Sequence, residues 1–127
     1  MPLVVLVADD DSFMQQLIVA LLKQDGHSGV VVGNGRQAID CLAQRNFDVL
    51  LLDVMMPEMD GLEALAAIRC GEKKSGKHQP IIMLTGHAEA NDAARLRQAG
   101  ADGYVIKPIN VVQLYSELVR VTCRHQN

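Results

Sequence analysis

Five short apolar runs punctuate the chain: Leu3–Ala8, Gly29–Val32, Asp48–Asp53, Pro80–Thr85 and Gly103–Ile106, each followed by a segment of helical character. No other feature restricts the fold as strongly. Strands separated by whole helices do not close as hairpins; they need crossover connections and therefore a parallel sheet. Val49-Leu50-Leu51-Leu52 is apolar on both faces, which suits a central strand covered by helices on each side.

The intervening segments carry the helical period. Met14, Leu17, Ile18, Leu21 and Leu22 fall on one stripe, as do Ala38, Cys41 and Leu42, then Leu62, Leu65 and Ile68, and finally Val111, Leu114, Leu118 and Val121. Asn91–Ala99 is helix-like with Leu96 as its single large apolar residue. Asp11 or Ser12, Asp60 and Asn110 stand where helix caps are expected, Asn34-Gly35 precedes the second helix, and Gly26 stands where a helix stops. Cys70–Gln79 is polar and basic and reads as a loop. Right-handed crossovers leave few topologies. The expected fold is a flavodoxin-like doubly wound α/β domain with five parallel strands in order 2-1-3-4-5 and five helices.

A length of 127 residues accommodates one domain. Residues 1–127 are read as that domain, with its core at about 3–123. A net charge of −3 and only 3% aromatic residues, with no Trp, argue against a nucleic-acid surface. No apolar run reaches the roughly 18–20 residues of a membrane span. Leu3–Val7 lacks a basic leader and does not read as a signal peptide. Cys41, Cys70 and Cys123 form no C-x-x-C pair, so neither zinc nor a disulfide framework is indicated. A reducing compartment, the cytoplasm, is the expectation.

In open α/β sheets the ligand site lies beyond the carboxyl ends of the strands. Asp9-Asp10-Asp11 follows the first run, Asp53 ends the third, Thr85-Gly86 the fourth and Lys107-Pro108 the fifth. Parallel strands would bring these groups to one edge. Clustered carboxylates raise one another's pKa or recruit a cation. A hard divalent ion such as Mg2+ suits one or two carboxylates with waters and phosphate oxygens. A carboxylate can accept a phosphoryl group, and an ammonium, a hydroxyl and backbone N–H groups can hold its oxygens. Asp11 and Ser12 also suit a helix N-terminus.

Four motifs in this order carry a family resemblance: Val7-Ala8-Asp9-Asp10-Asp11-Ser12, Leu52-Asp53-Val54-Met55-Met56-Pro57-Glu58-Met59-Asp60-Gly61, Leu84-Thr85-Gly86 and Gly100-Ala101-Asp102-Gly103-Tyr104-Val105-Ile106-Lys107-Pro108. Together they closely resemble the receiver domains of two-component response regulators, over essentially the whole chain. The Gly76–Ile82 stretch and the loop before it resemble receivers attached to hybrid sensor kinases.

The resemblance implies roles. Asp53 matches the phosphoacceptor. Asp9 and Asp10 match the acidic pair for Mg2+, Asp10 as direct ligand and Asp9 through water, with Met55 offering its backbone carbonyl. Thr85 matches the switch hydroxyl, Gly86 the small residue that leaves access, Lys107 the phosphoryl-contacting ammonium and Tyr104 the switch aromatic. Pro108 would follow a cis bond. Met55 and His87 hold positions that tune water access to the acyl phosphate, or are neutral rim residues. His27, His78 and His125 read as surface residues, and Lys73–His78 as a solvated run.

The implied function is phosphorylation-dependent signalling, with Mg2+ as cofactor. The donor is a sensor histidine kinase or histidine phosphotransfer protein, and the recipient is a downstream output protein or domain, with no nucleic acid or membrane contact. Its only catalysis would be its own phosphoryl transfer and dephosphorylation, whether the chain stands alone or was cut from a hybrid kinase or multidomain regulator.

Other classes fit less well. A haloacid-dehalogenase-like phosphatase needs an acid two residues after its nucleophile, where Met55 stands. A flavin mononucleotide carrier needs a neutral phosphate loop after the first strand, where Asp9–Asp11 would repel the phosphate.

Overall fold

The structure, a computed structural model, describes residues 2–86 and 90–123. Ten elements alternate: β1 (Val4–Ala8), α1 (Ser12–Gln24), β2 (Ser28–Val32), α2 (Gly35–Gln44), β3 (Val49–Asp53), α3 (Gly61–Ser75), β4 (Ile81–Thr85), α4 (Ala90–Ala99), β5 (Gly103–Ile106) and α5 (Val111–Cys123). All neighbouring strands pair in parallel, in the order β2-β1-β3-β4-β5. This is the expected flavodoxin-like arrangement.

The two-residue period of the strands divides the core. Val5, Val7, Val49, Leu51, Ile82, Leu84 and Val105 face α1 and α5, meeting Ile18, Leu22, Leu114 and Leu118. Leu6, Leu50, Leu52, Ile81 and Met83 face the other way, against Ala38 of α2, Ala64 and Leu65 of α3 and Leu96 of α4. Every residue of β3 is buried, and Val49–Leu52 are fully so. Each such side chain contributes about 1.5–3 kcal/mol by leaving water, which anchors the strand that ends in Asp53. The weakly apolar α4 is held through Leu96, 1% exposed.

Local signals set the helix ends. Asp11, rather than Ser12, caps α1 and accepts from the Phe13 N–H. Asn34 caps α2, and Asn110 accepts from Gln113 N at 3.1 Å at the start of α5. Asp60 and Glu63 form a reciprocal capping box on α3.

One expectation fails: Cys70–Ser75 is the last stretch of α3, not a loop. The helix continues because Arg69 and Glu72 pair at i,i+3, Lys73 and Lys74 offset the carbonyl end, and Gly76 closes it at φ 74°. Arg69 there organises a network. It donates to both Glu72 oxygens at 2.8 and 2.9 Å, to the carbonyls of Gln79 and Gly100 at 2.9 Å, and to Asp102 at 2.9 Å. His78, within the expected solvated run, bonds Asp102 at 2.8 Å.

His27 is likewise no free surface residue. Its side chain is 10% exposed, accepts from the Leu3 N–H at 3.0 Å and meets Asp25 at 2.9 Å. His87 and His125 lie outside the described residues. No helix among the described residues is long and apolar enough to cross a membrane.

Candidate functional site

The parallel register brings the strand ends to one edge. Asp53 pairs with Leu84 and Thr85 with Ile106, so the residues following β1, β3, β4 and β5 open on the same side. Asp9 is fully buried just past β1, and its backbone N–H donates to the Val32 carbonyl at 3.1 Å. Asp53 is 5% exposed and Thr85 4%. Asp10 is exposed, and Met55 stands at the rim, 74% exposed.

Lys107 binds this edge together. Its Nζ lies 3.1 Å from Asp9 Oδ2 and 3.0 Å from Asp53 Oδ2. Its backbone N–H donates to the Thr85 carbonyl at 2.7 Å, and the Lys107–Pro108 bond is cis, as the resemblance implied. The remaining oxygens find local donors: Asp11 N to Asp9 Oδ1 at 2.9 Å and Met55 N to Asp53 Oδ1 at 3.3 Å.

Charge at the edge is unbalanced. Carboxylate oxygens of Asp9, Asp10 and Asp53 lie within 4.8 Å of one another, and Lys107 is the ammonium that touches two of them. Burial pushes the Asp53 carboxyl above its usual range; the hydrogen bond from Lys107 offsets part of this, and the charge of Asp9 adds to it. Burial pulls the Lys107 ammonium down, but hydrogen bonds and attraction from Asp53 and Asp9 outweigh it, and the net direction is up. A cluster of hard oxygen donors with surplus negative charge is chemically suited to a divalent cation that prefers oxygen.

The remaining expected residues fall around this core. Gly86 is exposed, and a Cβ there would meet nothing within 4 Å, so its position leaves the space beside Thr85 open. Tyr104 is half-buried on β5 against the core facing α3 and α4, in register with Met83. It is thus on the sheet, two residues upstream of Ile106, the register partner of Thr85.

Some supports had no legible signal. Gln15 Nε2 donates to the Asp9 carbonyl at 2.6 Å and reaches the Val32 carbonyl at 3.4 Å, tying the β1 and β2 ends. Gly61, readable as a cap neighbour, is required for contact: a Cβ would collide with the Asp53 carbonyl oxygen and lie 2.8 Å from its carbonyl carbon. The β3–α3 connection is also pinned from α2, where Gly35 N donates to the Met59 carbonyl at 3.1 Å and Asn34 Nδ2 to Glu58 at 3.1 Å. Glu58 sits at φ 65°, a conformation seldom adopted outside glycine.

Comparison with known proteins identifies the family and the fold. The family model of the response regulator receiver domain matches residues 5–119. The chemotaxis protein CheY of Pseudomonas aeruginosa is 34% identical over 118 residues, covering 92% of this chain and 94% of CheY. The sensor protein GacS of Pseudomonas syringae pv. syringae is 40% identical over 119 residues, 93% of this chain. The chain spans only 13% of the length of GacS. Among solved structures, the receiver domain of a sensor histidine kinase of Pseudomonas aeruginosa PAO1, with magnesium coordinated in its active-site cleft, superposes with a TM-score of 0.84 at 30% identity, covering 97% of this chain and 99% of that one.

Proposed function

The chain belongs to the response regulator receiver domains, and from that premise we propose that Asp53 accepts a phosphoryl group from a partner phosphohistidine or a small acyl phosphate. The observation that carries this reading is the convergence of Asp9, Asp10, Asp53 and Lys107 at one sheet edge. Residues 3–123 form the receiver core in this reading.

The residues act in sequence. A carboxylate oxygen of Asp53 attacks phosphorus in line, the bond from phosphorus to the donor nitrogen or oxygen breaks, and its electron pair leaves with the donor. Lys107, already 3.0 Å from Asp53, stabilises the charge that spreads over the phosphoryl oxygens. The N–H of Gly86 and the hydroxyl of Thr85 hold those oxygens afterwards. Asp9, Asp10 and Asp53, with the Met55 carbonyl, would hold Mg2+, Asp9 acting through water; that ion, when bound, neutralises phosphoryl charge.

Thr85, engaged by the phosphoryl group, and Tyr104 bias a two-state surface formed by α4, β5 and α5. Water attack on the acyl phosphate resets the domain, so the chemistry is its own transfer and dephosphorylation. The donor is a sensor histidine kinase or a histidine phosphotransfer protein, and the changed surface is read by an output protein or domain. A cytoplasmic location fits the free cysteines Cys41 and Cys70.

Mg2+ titration followed by amide NMR tests the ligand set. Asp10→Ala is expected to weaken Mg2+ binding at least tenfold without unfolding the chain. Unchanged Mg2+ affinity would remove Asp10 from the set. Adding beryllofluoride should alter amide exchange across β4 and β5; an unchanged pattern would rule out the switch.

A further inference from the structure

At the opposite end of the sheet from Asp53, before β3 and β4 begin, the last turns of α2 and α3 enclose a groove of about 620 Å3, within the roughly 300–1,000 Å3 typical of small-molecule sites. Ile39 and Leu42 of α2, Ile68 of α3 and the buried Phe47 make its apolar floor. The three aliphatic side chains are only half-buried although they rest on the core beneath.

The rim is cationic. The Arg45 guanidinium stands 4.9 Å from the centre of the Phe47 ring, and Lys77 lies in the connection to β4. Glu72 is the one carboxylate among the lining residues, and Arg69 already engages both its oxygens at 2.8 and 2.9 Å. Lys73 and Lys74 in the last turn of α3 offset that helix's carbonyl end. In a chain of net charge −3, this rim reverses the prevailing sign locally.

Gly71 adds an independent observation. It lies inside α3 on the wall of the groove, where glycine is disfavoured relative to alanine. A Cβ at Gly71 would meet nothing within 4 Å, so no packing neighbour demands its smallness. What its missing side chain does is leave the wall open.

We propose that this groove binds a small amphipathic anion, an aromatic or short alkyl body seated on Ile39, Leu42 and Ile68 with one oxyanion head held by Arg45 and Lys77. The apolar floor supplies burial, and the two cations supply orientation and selection against neutral or cationic analogues.

The probe is 8-anilino-1-naphthalenesulfonate, titrated by fluorescence and mapped by amide NMR on the full chain. One saturable site is expected, with shifts concentrated in residues 39–47 and 67–79. Charge reversal of the two exposed cations, Arg45→Glu with Lys77→Glu, should weaken it at least tenfold. The neutral analogue N-phenyl-1-naphthylamine should bind more weakly than the sulfonate. Gly71→Trp should abolish the site, with far-UV circular dichroism confirming the fold; if that variant fails to fold, the charge-reversal pair decides. Absence of a saturable site, shifts centred elsewhere, or affinity unmoved by charge reversal would overturn the proposal.

Discussion

Replacing Gly61 by alanine adds a single methyl group at the joint between the phosphoacceptor strand and α3. The added Cβ would collide with the Asp53 carbonyl oxygen and stand 2.8 Å from its carbonyl carbon and 2.9 Å from the Val54 Cα. All three are backbone atoms, so no rotamer change relieves the contact. The joint must open, and Gly61 N–H to Val54 carbonyl, now 2.9 Å, is the hydrogen bond in its path. Overpacking of this kind costs about 1–3 kcal/mol or somewhat more. We place it at the top of that range because the obstacle is backbone, less a gain of about 0.5–1 kcal/mol from the stiffer unfolded chain.

A net loss of about 2–2.5 kcal/mol, with an unfolding entropy of about 0.27 kcal/mol/K for 127 residues, lowers Tm by about 7–9 °C. Gly71→Ala in the same helix is the control. With nothing near its Cβ, it should gain up to about 1 kcal/mol, or a few °C. Thermal melts and urea titrations of both variants measure the contrast. Gly61→Ala melting within about 2 °C of the parent, a quarter of the expected shift, would refute the close approach.

Three further perturbations test other parts of the account. Because burial raises the Asp53 pKa above its usual 3.8, the folded chain binds a proton more readily than the unfolded one. Stability should therefore fall as pH rises from that value through the raised one. Asp53→Asn should flatten this fall in urea titrations across the acid range without Mg2+; an equal slope in both proteins would contradict the assignment. Lys107→Ala leaves two buried carboxylates uncompensated and should cost about 2–4 kcal/mol, somewhat below a fully buried pair. Millimolar Mg2+ should restore part of it, and a melt insensitive to the substitution would argue against the pairing. Arg69→Met should destabilise by about 2–4 kcal/mol through Glu72 and Asp102 yet leave Mg2+ affinity unchanged, because its network sits at the other end of the sheet; altered Mg2+ affinity would break that separation.

Legibility divided along the length scale of the signal. Strand ends, helix stripes and caps are local, so Asp9, Asp53, Thr85 and Lys107 could be placed at one edge from periodicity and topology, and each observed strand starts within a residue of its expected position. Cys70–Ser75 has the composition of a loop, and its helicity depends on the Arg69–Glu72 pair and Gly76. The ties from Arg69 to Asp102 and from Asn34 to Glu58 join residues 33 and 24 positions apart, separations that no spacing rule encodes. Gly61 reads equally well as a helix-start residue, and only the approach of the Asp53 backbone reveals why no side chain fits. His27 looked exposed by type, but its ring accepts the Leu3 N–H across 24 residues.

The central claim is that Asp53 is the phosphoryl acceptor of the edge built by Asp9, Asp10 and Lys107. Intact-mass measurement of the chain incubated with acetyl phosphate and Mg2+ tests it most directly. Addition of a single phosphoryl group is predicted, labile to hydroxylamine and absent in Asp53→Asn. The same addition at an equal level in Asp53→Asn, or none in the parent chain with Mg2+ bound, would contradict it.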